Sequence, residues 1–206
     1  RVQTMLHYRP GTEETLFLTM VTRNGTVKRL PVETLKNLKN IGIRALTLEE
    51  GDALIAVKET DGSQNILIAT HDGQAICFAE DEVRPTGRTS MGVRGIRLKD
   101  GDYVVGAGRA REGFEVLSIT EKGYGKRTPV EEYRLTGRGG LGIRNYMVTE
   151  KTGGVVGGPA ARDPERHPHP HAGGAHPLRG PGHPGRHRHA LQGGGRPGHR
   201  PGPGGA

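Results

Sequence analysis

The sequence predicts an all-β protein made of about three repeated units of four short strands, followed by a disordered tail. Three observations predict it. Short motifs return at intervals close to fifty residues across 1–158. Between them lie apolar runs of four to six residues joined by Gly-containing turns. No window sustains a helical period; Val32 to Asn40 makes one short helical turn at most.

The anchors of the repeat are specific. Thr22-Arg-Asn-Gly25 returns as Thr70-His-Asp-Gly73 and as Thr120-Glu-Lys-Gly123. Ile41-Gly-Ile-Arg44 returns as Met91-Gly-Val-Arg94 and Leu141-Gly-Ile-Arg144, and Gly51-Asp52 as Gly101-Asp102. Arg84-Pro-Thr-Gly-Arg88 matches Arg134-Leu-Thr-Gly-Arg138. In the second unit Asn65–Thr70 reads as the first strand and His71-Asp-Gly73 as its turn, with Asp-Gly the favoured hairpin chemistry; Asn24-Gly25 plays that part in the first unit. Gln74–Phe78 is the second strand, a polar stretch Ala79–Met91 follows, Gly95–Leu98 is the third strand and Tyr103–Ala107 the fourth, with Lys99–Asp102 as their turn. Four strands per unit is the pattern of a propeller-like blade. The units run about 15–57, 66–107 and 116–158. Three is about the minimum for mutual stacking, and the two exposed terminal edges predict aggregation or swapping. Cys77, in mid-strand, reads as core.

Composition changes near residue 158. Residues 159–206 hold 10 of the 14 Pro and 8 of the 10 His, with Leu178 and Leu191 almost their only large apolar side chains. Such a segment buries too little apolar surface to offset ordering entropy and is expected to be disordered. Its seven Arg and two acids give it +5 of the chain's net +8, leaving +3 for residues 1–158, so most of the basicity belongs to the tail. The histidines of the tail read as adventitious metal binders. Arg, His, Pro, Gly and Ala with little else is also what a GC-rich gene yields in a wrong reading frame, so the tail is expected to be frame-shifted. One cysteine excludes an internal disulfide framework and a multi-Cys zinc site. No apolar run approaches the ~20 residues of a membrane helix and no signal peptide opens the chain. A soluble cytoplasmic protein without a membrane partner is expected, and the start at Arg1 suggests a piece of a longer one.

Catalytic constellations are missing: no HExxH, no Walker A and no defensible Ser/His/Asp set. Gly137-Arg-Gly139-Gly-Leu-Gly142 satisfies GxGxxG but enters a strand, with no helix N-terminus to hold a pyrophosphate. What repeats is basic. Arg84, Arg88 and Arg94 recur as Arg134, Arg138 and Arg144 with small residues between them, and Lys28-Arg29 and Lys126-Arg127 sit on the second strands of their units. Stacked blades would align these into a stripe on one rim. Arginine matches phosphate bidentately and glycine lets backbone N–H groups approach an anion, which suits a sequence-independent grip on duplex DNA. Few aromatics are available to stack on single-stranded bases. The competing reading pairs these arginines with Asp52, Asp81, Glu82, Asp102, Glu131 and Glu132 of neighbouring blades. Another function class also stays open: a propeller scaffold that binds protein partners through its faces.

Residues 15–158 resemble the C-terminal domain of the A subunit of bacterial DNA gyrase, or of its relative topoisomerase IV. The resemblance rests on Thr22–Arg29, Gly51–Val57, Val83–Leu98, Gly123–Thr128 with Glu132–Arg134, and Gly137–Gly142. It implies a β-pinwheel, a propeller relative with exchanged strands, whose basic perimeter binds and bends duplex DNA. There it would serve a type II topoisomerase, an isomerase that introduces negative supercoils. On matching positions the perimeter residues are Lys28, Arg29, Arg84, Arg88, Arg94, Lys126, Arg127, Arg134, Arg138 and Arg144. The resemblance implies no catalytic residue, metal or cofactor in this stretch. The cleavage tyrosine would lie in an upstream domain, ATP and Mg2+ elsewhere in the holoenzyme, and the gyrase B subunit would be met through other domains. The family's Gln-Arg-Arg-Gly-Gly-Lys-Gly box does not occur in the first unit, and Gly137–Gly142 echoes it with Leu141 in place of Lys.

Overall fold

A computed structural model describes residues 2–6, 11, 15–36 and 42–162, with side chains as far as Gly157. Among the described residues, eleven strands form three antiparallel sheets. Blade 1 contains β1 (Phe17–Thr22), β2 (Thr26–Pro31) and β3 (Leu54–Thr60). Blade 2 contains β4 (Asn65–Thr70), β5 (Gln74–Ala79) and β7 (Val104–Ala110). Blade 3 contains β8 (Glu115–Thr120), β9 (Gly125–Pro129) and β11 (Val155–Arg162). The hairpins β1–β2, β4–β5 and β8–β9 form where Asn24-Gly25, Asp72-Gly73 and Lys122-Gly123 supply the turns, with the glycine of each at φ near +80°. A short 3-10 turn follows each hairpin, at Val32–Leu35, Glu80–Glu82 and Val130–Glu132.

The fourth strand of a blade comes from the next repeat. β6 (Val93–Arg94) lies against β2, giving blade 1 the order β3-β1-β2-β6, and β10 (Ile143–Arg144) lies against β5, giving blade 2 the order β10-β5-β4-β7. This corrects the expected third strand at Gly95–Leu98. The strand is two residues long, begins earlier, and completes the preceding blade. Gly95 and Ile96 instead turn their N–H groups onto the Gly25 carbonyl at 2.8 and 3.3 Å, leaving the extended ladder. β7 touches both β3 and β11, so these strands form the inner side of the array, while β6 and β10 occupy the opposite, outer edges of their sheets.

The alternation of side chains decides which blade each residue packs against. Ile66 and Ile68 of β4 join Val21, Val27, Ile76, Phe78 and Ile96 in a core shared by blades 1 and 2. Leu67 and Ala69 point the other way, to Val116, Val130 and Tyr133. Blade 2 is covered on both faces, which explains the continuous apolar run 66–69. Cys77 belongs to the second core, and burial pushes its thiol up to about 11. A third cluster, Met20, Leu30 and Val57, is roofed by Ala45, Leu46 and Leu54 on the other face of blade 1.

β11 continues to Arg162, four residues into the stretch expected to be disordered. Backbone pairing of Ala160, Ala161 and Arg162 with Leu117, Val116 and Glu115 needs no apolar side chains, and a register shift between Gly157 and Ala160 spans Pro159, which has no N–H to give. Residues 163–206, with the tail histidines and the frame-shift expectation, lie outside the described residues. Among the described residues no helix is long and apolar enough to cross a membrane.

Candidate nucleic-acid interface

The arginine-bearing loops run along the outer edge of the preceding blade. Pro85 bridges to Arg29, Thr86 N–H donates to the Arg29 carbonyl at 3.0 Å, and the loop ends in β6. The next repeat copies this: Leu135 bridges to Cys77, Thr136 N–H donates to the Cys77 carbonyl at 2.8 Å, and the loop ends in β10. Arg84, Arg88 and Arg94 therefore flank blade 1, and Arg134, Arg138 and Arg144 flank blade 2. Arg94 opposes Thr26 and Arg144 opposes Gln74, two equivalent register positions. Gly92 and Gly142 allow the close approach. Both have positive φ, and a Cβ on either would fall 2.7 Å from the Val27 oxygen or 2.3 Å from the Ala75 oxygen. The GxGxxG match thus serves contact between blades.

Of the ten basic residues on the expected perimeter, five stand exposed with no ion pair among the described residues: Arg84, Arg88, Arg94, Arg134 and Arg144. The other five are engaged. The expectation that Lys28 and Arg29 lie on the surface is corrected, because β2 is buried on both faces. Lys28 is 1% exposed, and its Nζ donates to the carbonyls of Ala45, Arg88 and Ser90 at 2.8, 2.8 and 2.9 Å. Burial lowers the pKa of its ammonium. Lys28 pins down the loop that presents Arg88. Arg29 is 7% exposed, with Cζ 4.6 Å above the centre of the Phe17 ring.

Arg127 is paired with Glu115 across the β8–β9 hairpin. Arg138 donates to the carbonyls of Glu82 and Arg94 at 3.0 and 3.1 Å, tying one arginine loop to the next. Lys126 donates to the Asn145 carbonyl at 3.1 Å but is otherwise exposed, unlike Lys28 at the equivalent position.

Four of the six carboxylates that could have neutralised this rim, Asp52, Glu82, Asp102 and Glu131, are committed to backbone. Asp52 accepts from the N–H groups of Asn24 and Ala53 at 2.9 and 2.8 Å. Asp102 does the same for Asp72 and Tyr103 at 3.0 and 2.8 Å. Glu131 accepts from Gly113 N–H at 2.7 Å, which holds its carboxyl below the ordinary range. Glu82 accepts from the backbone N–H of Arg138, not from its guanidinium. Sequence reasoning missed this use of the acids, although the recurrence of Gly-Asp at 51–52 and 101–102 was a visible signal for a turn cap.

Comparison with known proteins agrees with this architecture. The family model described as DNA gyrase C-terminal domain, beta-propeller, matches residues 17–61, 64–111 and 115–157. The DNA gyrase A protein of Haloquadratum walsbyi is 41% identical over 78 residues, covering 38% of this chain and 9% of that protein. That of Clostridium acetobutylicum is 41% identical over 91 residues, covering 44% of this chain and 11% of that protein. Among solved structures, a C-terminal domain of DNA topoisomerase IV gives a TM-score of 0.70 at 26% identity, covering 75% of this chain and 48% of that one. A DNA gyrase A C-terminal domain gives 0.63 at 26% identity, covering 69% and 47%. The matches thus span about a tenth of the length of these curated relatives and about half of the solved domains. Matched over more than half of its length by that model, with blades completed by exchanged strands, this chain belongs to the DNA gyrase C-terminal domain family.

Proposed function

We propose that this chain binds duplex DNA along the outer edges of its blades, without regard to base sequence, and bends the duplex around them. The observation that carries the reading is the equivalent placement of exposed arginines on successive outer strands and loops, while Asp52, Glu82, Asp102 and Glu131 are bound to backbone. Guanidinium groups repeated on successive blades neutralise phosphates on one side of a duplex, and a curved row of such contacts favours a bent path. The work it would serve is that of the gyrase A protein: holding a DNA segment for strand passage by a type II topoisomerase. The bond-breaking tyrosine would be supplied elsewhere in that enzyme, and ATP hydrolysis by its gyrase B partner, in a cytoplasmic, DNA-associated setting. The contacts we assign to phosphate are Arg84, Arg88, Arg94, Arg134 and Arg144.

Fluorescence anisotropy of a labelled generic duplex across a salt series tests this. Five phosphate contacts give a slope of log K against log salt of about −4.5, and Arg94→Ala with Arg144→Ala reduces its magnitude by about 2. A slope near zero, or one unchanged in the double variant, refutes the assignment and favours a protein-binding scaffold.

A further inference from the structure

Loops 45–52 and 95–102 share one backbone frame but differ in charge, and we propose that Arg97 and Lys99 of the second are further DNA contacts, which make blade 2 the anchoring blade. This rests on the outer edges being the DNA-binding surface. The frame is the same in detail. Thr47 N–H donates to the Ser90 carbonyl at 3.3 Å, and Arg97 N–H to the Gly140 carbonyl at 2.8 Å. Asp52 N–H donates to the Glu49 carbonyl and Asp102 N–H to the Lys99 carbonyl, both at 3.1 Å. Asp52 then caps the hairpin turn of blade 1 through Asn24 N–H, and Asp102 that of blade 2 through Asp72 N–H. Position 47 is thus equivalent to 97, and 49 to 99, in space as well as in sequence.

Charge is what changes on this frame. Thr47 and Glu49 of the first unit become Arg97 and Lys99 in the second, and Met147 and Thr149 in the third. Loop 45–52 carries Glu49, Glu50 and Asp52 with no cation, whereas in loop 95–102 Arg97 and Lys99 balance Asp100 and Asp102. On blade 1, Glu49 and Asp52 line a groove together with Arg94, Thr22 and Thr26. Carboxylates in that groove oppose the attraction of Arg94 for a phosphate. On blade 2 the place of Glu49 is taken by Lys99, and Asp102 is occupied by the N–H groups of Asp72 and Tyr103, which leaves Asp100 as the exposed acid of the loop.

Arg97 also stands at the seam between the two outer edges. Three residues before it, Arg94 pairs with Thr26 on the edge of blade 1, and its carbonyl accepts from Arg138. The Gly95 carbonyl accepts from Gly139 N–H at 2.7 Å, and Arg97 itself is bonded to Gly140, so it meets the arginine loop of blade 2. Arg97 and Lys99 are both exposed, and neither has an ion pair among the described residues. Two such cations, placed where the row of edge arginines passes from one blade to the next, extend that row onto the hairpin-turn end of blade 2. A search for basic residues that recur with the period passes over them, because they do not recur.

The test is fluorescence anisotropy of the full chain on a labelled generic duplex across a salt series. Seven phosphate contacts in place of five steepen the expected slope of log K against log salt from about −4.5 to about −6.3. Arg97→Ala with Lys99→Ala is expected to return it to about −4.5 and to weaken binding by about tenfold or more at low salt. Arg97→Lys with Lys99→Arg is expected to keep the parent slope. Glu49→Gln, which removes a carboxylate from the groove beside Arg94, is expected to tighten binding by about threefold. Arg111→Ala changes net charge at an exposed site just past the far end of β7 and is expected to leave the slope as in the parent, which separates contact from overall charge. A double alanine variant with the parent slope, a conservative pair that loses it, Glu49→Gln binding no tighter, or an equal loss from Arg111→Ala overturns the assignment and leaves the edge arginines standing. A parent slope near zero removes the DNA reading itself, and this inference with it.

Discussion

Lys28→Met is the sharpest test of how the arginine loops are held. The substitution keeps the length and apolar character of the side chain while removing an ammonium that donates to three carbonyls at 2.8 to 2.9 Å. Hydrogen bonds to a charged group are worth roughly 1.5–3 kcal/mol each, so about 4.5–9 kcal/mol of interaction disappears. Against this, the variant no longer has to bury a charge, which costs several kcal/mol even after relaxation. The difference leaves a net destabilisation of about 3 kcal/mol, a large share of the stability of a domain this size. Lys126→Met is the internal control. It occupies the equivalent position in blade 3 but is exposed and donates to a single carbonyl, so it is expected to cost less than about 0.5 kcal/mol. Urea unfolding followed by far-UV circular dichroism measures both, with the midpoint shifting and the slope unchanged. Below the Lys28→Met midpoint, the salt slope of DNA binding is expected to match that of the parent chain. Equal destabilisation by the two variants, or a stable Lys28→Met chain with a shallower salt slope, refutes the anchoring role and returns Lys28 to the phosphate contacts.

Gly142→Ala, at φ +74° and with its new Cβ 2.3 Å from the Ala75 oxygen, is expected to cost at least about 2 kcal/mol in the same unfolding assay. His71→Ala removes a ring stacked on Tyr103 at 4.7 Å, whose Nδ1 lies 3.0 Å from the Val155 carbonyl, and is expected to lower stability by about 2 kcal/mol while loosening blade 3, seen as faster amide exchange in β11. Cys77 supplies the pH dependence. Its folded pKa is raised to about 11, above the ordinary thiol value, so its contribution is intact below the unfolded pKa and is lost as pH rises toward 11. Stability measured between pH 8 and about 11 is expected to fall less steeply in Cys77→Ala than in the parent.

The repeat, its hairpins and its turn glycines were legible because Asn24-Gly25 and Asp72-Gly73 favour tight hairpins and the glycine recurs at the same place in the third unit, although Asp61-Gly62 and Asp100-Gly101 join strands of different sheets. The destination of the fourth strand was not. Val93-Arg94 carries too few residues for an alternation signal, and nothing in a linear pattern says that this strand reaches back across a whole repeat to pair with Val27 and Thr26. The rim arginines were legible from their period, but Lys28 and Lys126 look alike in sequence and differ in the folded chain. The loop carrying Arg88 and Ser90 covers the first, and no described loop covers the second. The acids were misread for a related reason. Charge counting pairs Asp52 and Asp102 with the nearest cations, whereas turn geometry brings unpaired N–H groups to them first.

The borrowing of each outer strand from the following repeat also sets the timetable of synthesis. When Thr60 has left the ribosome, the first three strands of blade 1 can pair, but the segment that seals its rim is not made until Arg94, a few seconds later at ordinary elongation speeds. At every moment of translation the newest blade is therefore unsealed, and a nascent chain that stalls between repeats exposes a sticky flank to its neighbours on the same messenger.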